Sequence, residues 1–161
     1  MRKNIRFTLK ACPAVALVTL VLCSLTQYVA KLFGIELPAQ ANIEMVSRMA
    51  GFNLNFAFLV AQIVLILPAV EEIVFRLPLL ATKKKHPSAT KAIAVALSIL
   101  FSAAHYISQP FPDTAFVALF FFGIAQSYIY VKTGSILCAM INHALFNLAN
   151  LVILLAVASY K

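Results

Sequence analysis

Two adjacent carboxylates, Glu71 and Glu72, stand in an apolar run with Arg76 four residues beyond the second. His105 and His143 follow in two later apolar stretches, and Asn147 stands one helical turn past His143. A carboxylate beside an imidazole, with a second imidazole and an amide opposite, holds the parts for hydrolysis by water. Glu71 can take a proton from water, His105 can orient that water or shuttle its proton, and His143 with Asn147 can donate hydrogen bonds to a developing oxyanion. No serine or cysteine is evidently paired with a base. Ser102 and Cys138 lie nearby in sequence, but a covalent nucleophile is not the expectation. Glu71, His105 and His143 would also suit Zn²⁺ as a two-His, one-Glu ligand set with water in the open position. The compact HExxH pattern is absent, so a metal-free carboxylate mechanism is favoured with Zn²⁺ left open.

These side chains need a scaffold that can hold charge among apolar residues. Each ionised group near the middle of a membrane helix costs about 2.5–3.5 kcal/mol on insertion scales, so Glu71, Glu72 and Arg76 must face a protein interior or a wet cavity. The i to i+4 spacing sets Glu72 and Arg76 on one helix face as an ion pair, and Glu71 points about 100° away, unneutralised. Pro68 and Pro78 disturb the helix on either side of this cluster.

The bulk composition says that the scaffold lies in a bilayer. Of 161 residues, 63% are apolar and only 11% are charged, against about 25% charged in an ordinary soluble domain. Uncharged stretches run over 11–30, 49–70, 92–112, 114–131 and 133–160. Each is long enough to cross about 30 Å of hydrocarbon as a helix. The expected fold is therefore all-α, a polytopic membrane bundle of about five transmembrane helices, with the second running on through the acidic pair toward Thr82. Residues 1–161 read as one membrane domain. The segment from Leu32 to Arg48 reads as an interfacial helix or a loop.

The net charge of +8 does not point to nucleic acid, because the basic residues lie between apolar runs instead of on one solvated face. They read as topology signals. Arg2, Lys3, Arg6, Lys10, Lys83, Lys84, Lys85, Lys91 and Lys132 alternate with connections holding only Lys31, Arg48 and Lys161. The positive-inside rule then puts the N-terminus in the cytoplasm and the C-terminus outside. Counted from the nearest cytoplasmic lysine at about 1.5 Å per residue, Glu72, His105, His143 and Asn147 lie about 16, 21, 16 and 22 Å deep. Residues from three helices thus converge on one layer near the bilayer middle. Cys12, Cys23 and Cys138 show no metal or disulfide spacing and read as core residues.

Glu71-Glu72-x-x-x-Arg76, then Phe101-x-x-x-His105, then His143-x-x-x-Asn147, in that order on separate apolar spans, resembles the three-motif signature of the CPBP family, which includes the type II CAAX prenyl proteases. Thr133-Gly-Ser-Ile ahead of His143 is also similar, and the resemblance covers about residues 52–158 as a catalytic core. It implies an intramembrane endopeptidase in which Glu71 and His105 activate water, His143 and Asn147 form the oxyanion site, and Glu72 and Arg76 support the first motif. Its implied partners are the lipid bilayer and a membrane-anchored peptide or protein. This chain is shorter than the eukaryotic CAAX enzymes, which makes a bacterial inner-membrane role at least as apt: maturing a peptide or trimming a C-terminal sorting tail.

Two other readings use the same residues. A small proton- or ion-coupled transporter would relay protons through them, although the chain has no inverted repeat. A non-enzymatic immunity or scaffold protein would require a lost catalytic position, and none is lost. Among the remaining features, Lys83-Lys84-Lys85 reads as a stop-transfer signal and Phe116, Phe120, Phe121 and Phe122 as packing or lipid-facing surface. Pro110 to Asp113 reads as an external turn in which Asp113 caps the fourth helix.

Overall fold

Apolar runs of this length satisfy their backbone in hydrocarbon only as helices, and in the computed structural model five helices are long and apolar enough to cross a membrane. The structure describes residues 1–38, 54–107 and 111–158. We label the helices α1 (Arg2–Leu32), α2 (Leu54–Lys85), α3 (Thr90–Ala104), α4 (Phe116–Thr133) and α5 (Ile136–Ala158). No strand occurs among the described residues. Most of the segment read as an interfacial helix or loop, the expected start of the second helix at 49–53 and Pro110 of the external turn lie outside the described residues.

α4 is the central element. It packs against α1, α2, α3 and α5, and α2 also meets α3 and α5. Leucines and valines on α1, among them Leu17, Leu20, Val21 and Leu25, stay exposed, an arrangement that suits lipid and not water.

α2 is not uniform. Pro68 has no N–H to return to the Val64 carbonyl, and the turn just before it, Gln62–Ile66, is wound as a π-helix in which the Leu67 N–H reaches back to the Gln62 carbonyl. Such a bulge is one way to absorb a lost i to i−4 bond. The helix continues through Pro78 to Lys85. The third span is shorter than its hydropathy suggests. Helix α3 ends at Ala104, so His105 follows its last turn instead of lying inside a span that continues to Pro112. The uncharged run hides this end because Tyr106 and Ile107 bring no charge and no glycine or proline to mark it.

Beyond α3 the chain is tied down by Asp113, whose Oδ1 accepts from the N–H groups of Ala115 (2.8 Å) and Phe116 (3.1 Å) and from the Tyr106 hydroxyl. The expected cap on the fourth helix is thus present. Burial, then the bond to Asp113, push the Tyr106 phenol far above its ordinary value, so it stays a donor. Ser102 gives its hydroxyl to the Phe116 carbonyl at 2.9 Å, joining α3 to α4.

At the opposite end Gly134, at φ +64°, closes α4 and turns the chain into α5, a conformation only glycine adopts cheaply. The last carbonyls of α4 are satisfied from afar: Asn4 Nδ2 donates to Thr133 (2.9 Å) and Lys83 Nζ to Val131 (2.8 Å). Lys83 is therefore a helix cap as well as a topology charge. The three cysteines are free, but of those read as core residues only Cys138 is buried, while Cys12 and Cys23 are half-buried.

α3 and α4 approach closely at Gly123. A Cβ there would lie 3.0 Å from Ser98 Cβ and 3.1 Å from Ser98 Cα, and that backbone atom cannot swing aside. Small residues at such crossings let membrane helices pack backbone to backbone. Gly123→Val is expected to lose about 1–3 kcal/mol by overpacking, with Gly123→Ala milder, measured by reversible unfolding in detergent micelles. A valine variant as stable as wild type would show that this contact does not hold the helices together.

Candidate active site

Glu72 is fully buried and uses both carboxylate oxygens. Oε2 accepts from Arg76 Nε at 3.0 Å, and Oε1 accepts from His143 Nδ1 at 2.8 Å. The ion pair expected from the i to i+4 spacing is present. Arg76 donates onward from Nη1 to Ser127 Oγ on α4 at 3.2 Å. One carboxylate therefore ties three helices together, and an ionised Glu72, which can only accept, fixes a proton on His143 Nδ1.

The other imidazole nitrogen of His143, Nε2, lies 3.5 Å from Glu71 Oε2. Glu71 is not left unpartnered, as the helical wheel alone suggests; it sits at the long end of ion-pair contact, with its side chain 27% exposed where Glu72 has 0%. With His143 protonated on both nitrogens, two carboxylates face one guanidinium and one imidazolium. That set is neutral, which suits a low-dielectric interior where an unpaired charge is costly.

His105 approaches the group through an aromatic wall. Its Nδ1 donates to the Phe101 carbonyl at 2.9 Å, which can only accept, so in the neutral ring Nε2 carries the lone pair. Phe101 stands between the two imidazoles, 4.7 Å from the His105 ring and 6.0 Å from that of His143, with the Arg76 guanidinium 5.4 Å from its centroid. Phe122 closes the other flank at 4.8 Å from His143. Phe101 is recognisable in sequence as the residue opening the second motif. Phe122 cannot be told there from its neighbours: it packs on the site, whereas Phe121 is exposed.

Asn147 is on the same helix as His143, but its carboxamide is already engaged: Nδ2 donates to the Ile63 carbonyl at 2.9 Å. Ile63 lies in the π-wound turn of α2. The four sequence candidates are thus gathered to different degrees. Glu71 and His143 meet, His105 shares the Phe101 ring with His143, and Asn147 turns toward α2 backbone.

Among the described residues no three His, Cys, Asp or Glu side chains are grouped so that they could hold a metal ion, and the Nδ1 bond to Glu72 leaves Nε2 as the His143 nitrogen that a metal would use.

A family model described as type II CAAX prenyl endopeptidase Rce1-like matches residues 53–149, more than half of the chain, a range that includes Glu71, Glu72, Arg76, His105, His143 and Asn147. Comparison with curated proteins and with solved structures found no match.

Removing Arg76 strands the buried Glu72 carboxylate. Arg76→Leu is expected to cost about 3–5 kcal/mol, and the Glu72→Gln, Arg76→Leu double variant less than the sum of its parts, read by unfolding in micelles as a double-mutant cycle. Strict additivity would mean that the two side chains do not stabilise one another.

Proposed function

The chain belongs to the Rce1-like family of type II CAAX prenyl endopeptidases, and on that premise we propose that it hydrolyses a peptide bond of a membrane-associated protein or peptide with water activated by Glu71. The observation that carries the assignment of Glu71 over Glu72 is their difference in setting. Glu72 is sealed between Arg76 and His143, whereas Glu71 is partly exposed and only loosely held by His143 Nε2.

In this reading the water oxygen attacks the substrate carbonyl carbon while its proton passes to Glu71. His105, whose Nε2 is free to accept, orients that water. Negative charge gathers on the carbonyl oxygen and takes hydrogen bonds from His143 Nε2–H, which at 3.5 Å is not firmly bound to Glu71, and from Asn147 Nδ2, which leaves the Ile63 carbonyl as substrate enters. The carbon–nitrogen bond then breaks, and Glu71 returns its proton to the leaving amine. Glu72 and Arg76 hold His143 in orientation throughout, the role that a third residue has in other acid–base sets.

The mechanism is metal-free, and all of its proton transfers run through Glu71. The substrate is a peptide carried in the bilayer, in a bacterial inner membrane, prenylated or not. Nine basic residues at one rim of the bundle favour an N-terminus in the cytoplasm and a C-terminus outside.

Purified Glu71→Gln, His105→Ala and His143→Ala variants are expected to lose cleavage of a membrane peptide by about 10²–10⁴-fold, and Asn147→Ala by about 10²–10³-fold, with the fold retained. Full activity in a folded Glu71→Gln variant would sink the assignment. Zinc bound stoichiometrically to active enzyme, and removable only with loss of activity, would replace the metal-free mechanism. Ion flux into liposomes that depends on Glu71 without any proteolysis would favour a transporter. Single cysteines placed near each terminus should label from opposite sides of the membrane.

A further inference from the structure

Among the described residues, five buried polar atoms on α2, α4 and α5 have no hydrogen-bond partner: Arg76 Nη2, both amide atoms of Gln126 and both amide atoms of Asn142. All three side chains are 0% exposed. They also share one level of the bundle. Gln126 on α4 and Asn142 on α5 are equidistant in sequence from Gly134, which closes the turn between those helices. In an antiparallel hairpin that sets both at the same height, about 12 Å from the turn. Arg76 reaches this height too, since it donates to Ser127, the neighbour of Gln126. Asn142 in turn is the neighbour of His143.

An unsatisfied buried polar atom costs about 1–3 kcal/mol, so five at one level would consume most of a typical net stability of about 5–15 kcal/mol. Turning the two amides face to face would pair each nitrogen with the other's oxygen, yet it would leave Arg76 Nη2 without an acceptor. A cation in their midst would meet the guanidinium. An anion would meet two amide oxygens, and the Arg76 charge is already offset by Glu72. Water, which donates and accepts, matches the whole set.

We propose that Arg76, Gln126 and Asn142 enclose an internal hydration site whose ordered water pins the far edge of the Arg76 guanidinium. Through Arg76 it fixes the Glu72 carboxylate, and through Glu72 the Nδ1 side of His143. Gln126 and Asn142 are then positioning residues. Their link to turnover rests on the peptidase reading above, whereas the hydration site itself does not.

Two measurements test this separately. A high-resolution structure of the wild-type protein in lipid nanodiscs is expected to show water density within hydrogen-bond distance of Gln126 and Asn142. Direct amide-to-amide contact without such density would overturn the site, whatever the activity. For the positioning role, Asn142→Leu keeps the branching at Cγ, with somewhat more bulk, but cannot bind water, while Asn142→Ser leaves room for one more. Cleavage of a membrane peptide should show kcat about tenfold lower in Asn142→Leu, KM little changed, and near-normal kcat in Asn142→Ser. A side chain that merely packs would give the reverse order, with leucine tolerated and serine damaging, and that order would overturn the role. Water at the site of a protein that cleaves no peptide would leave the hydration site standing and defeat the peptidase reading instead.

Discussion

The interior of this bundle depends on how one carboxylate divides its two oxygens. Glu72 gives one to Arg76 and the other to His143, and each partner sits where the remaining helices can use it. α2 supplies the carboxylate and the guanidinium, α5 the imidazole, and α4 the serine that receives Arg76. Taking such charges out of water is expensive, and attraction between them repays the expense only when the geometry is closed. Closure also confers specificity. In lipid, apolar contacts alone discriminate poorly between helix registers, because lipid tails are as apolar as leucine. A buried ionic set that is satisfied in one register singles that register out.

The surroundings of this set divide its labour. Phe101 and Phe122 meet the His143 imidazole in edge-to-face contacts, and in the low-dielectric space they leave, hydrogen bonds and charge contacts strengthen. A rotation of about 100° between neighbouring helix positions separates a fully enclosed carboxylate from one that reaches the site's opening. Adjacent residues of the same type thus come to have unlike properties, with only the fold to distinguish them. The chain belongs to a CAAX-type endopeptidase family, and of its two adjacent carboxylates only Glu71 is open to its surroundings.

Much of this was legible in the sequence because it is local. The Glu72–Arg76 pair follows from a four-residue spacing, the five spans from uninterrupted hydropathy, and the disturbance of α2 from Pro68. What escaped is non-local or masked by composition. No periodicity states that His143 Nδ1 meets Glu72 across 71 positions, or that its other nitrogen faces Glu71. The end of α3 is invisible because hydropathy continues past Ala104, and with it the fact that His105 follows the helix and binds its own last turn. Phe122 lies in a run of three phenylalanines, only one of which can face the site. Pro68 announces a distortion, but not that a π-wound turn would offer the Ile63 carbonyl to Asn147.

That last bond gives the resting protein a threshold. The Asn147 carboxamide is held at 2.9 Å by a backbone acceptor, and in the proposed mechanism an incoming carbonyl would have to outcompete that acceptor before the amide could serve it. Lipid chains have no acceptor to offer and cannot do so. A peptide can, provided that its backbone has already lost its own helical hydrogen bonds. Under the proposed peptidase reading, the π-wound turn would favour guests whose chain is locally unwound over the intact helices that share the membrane.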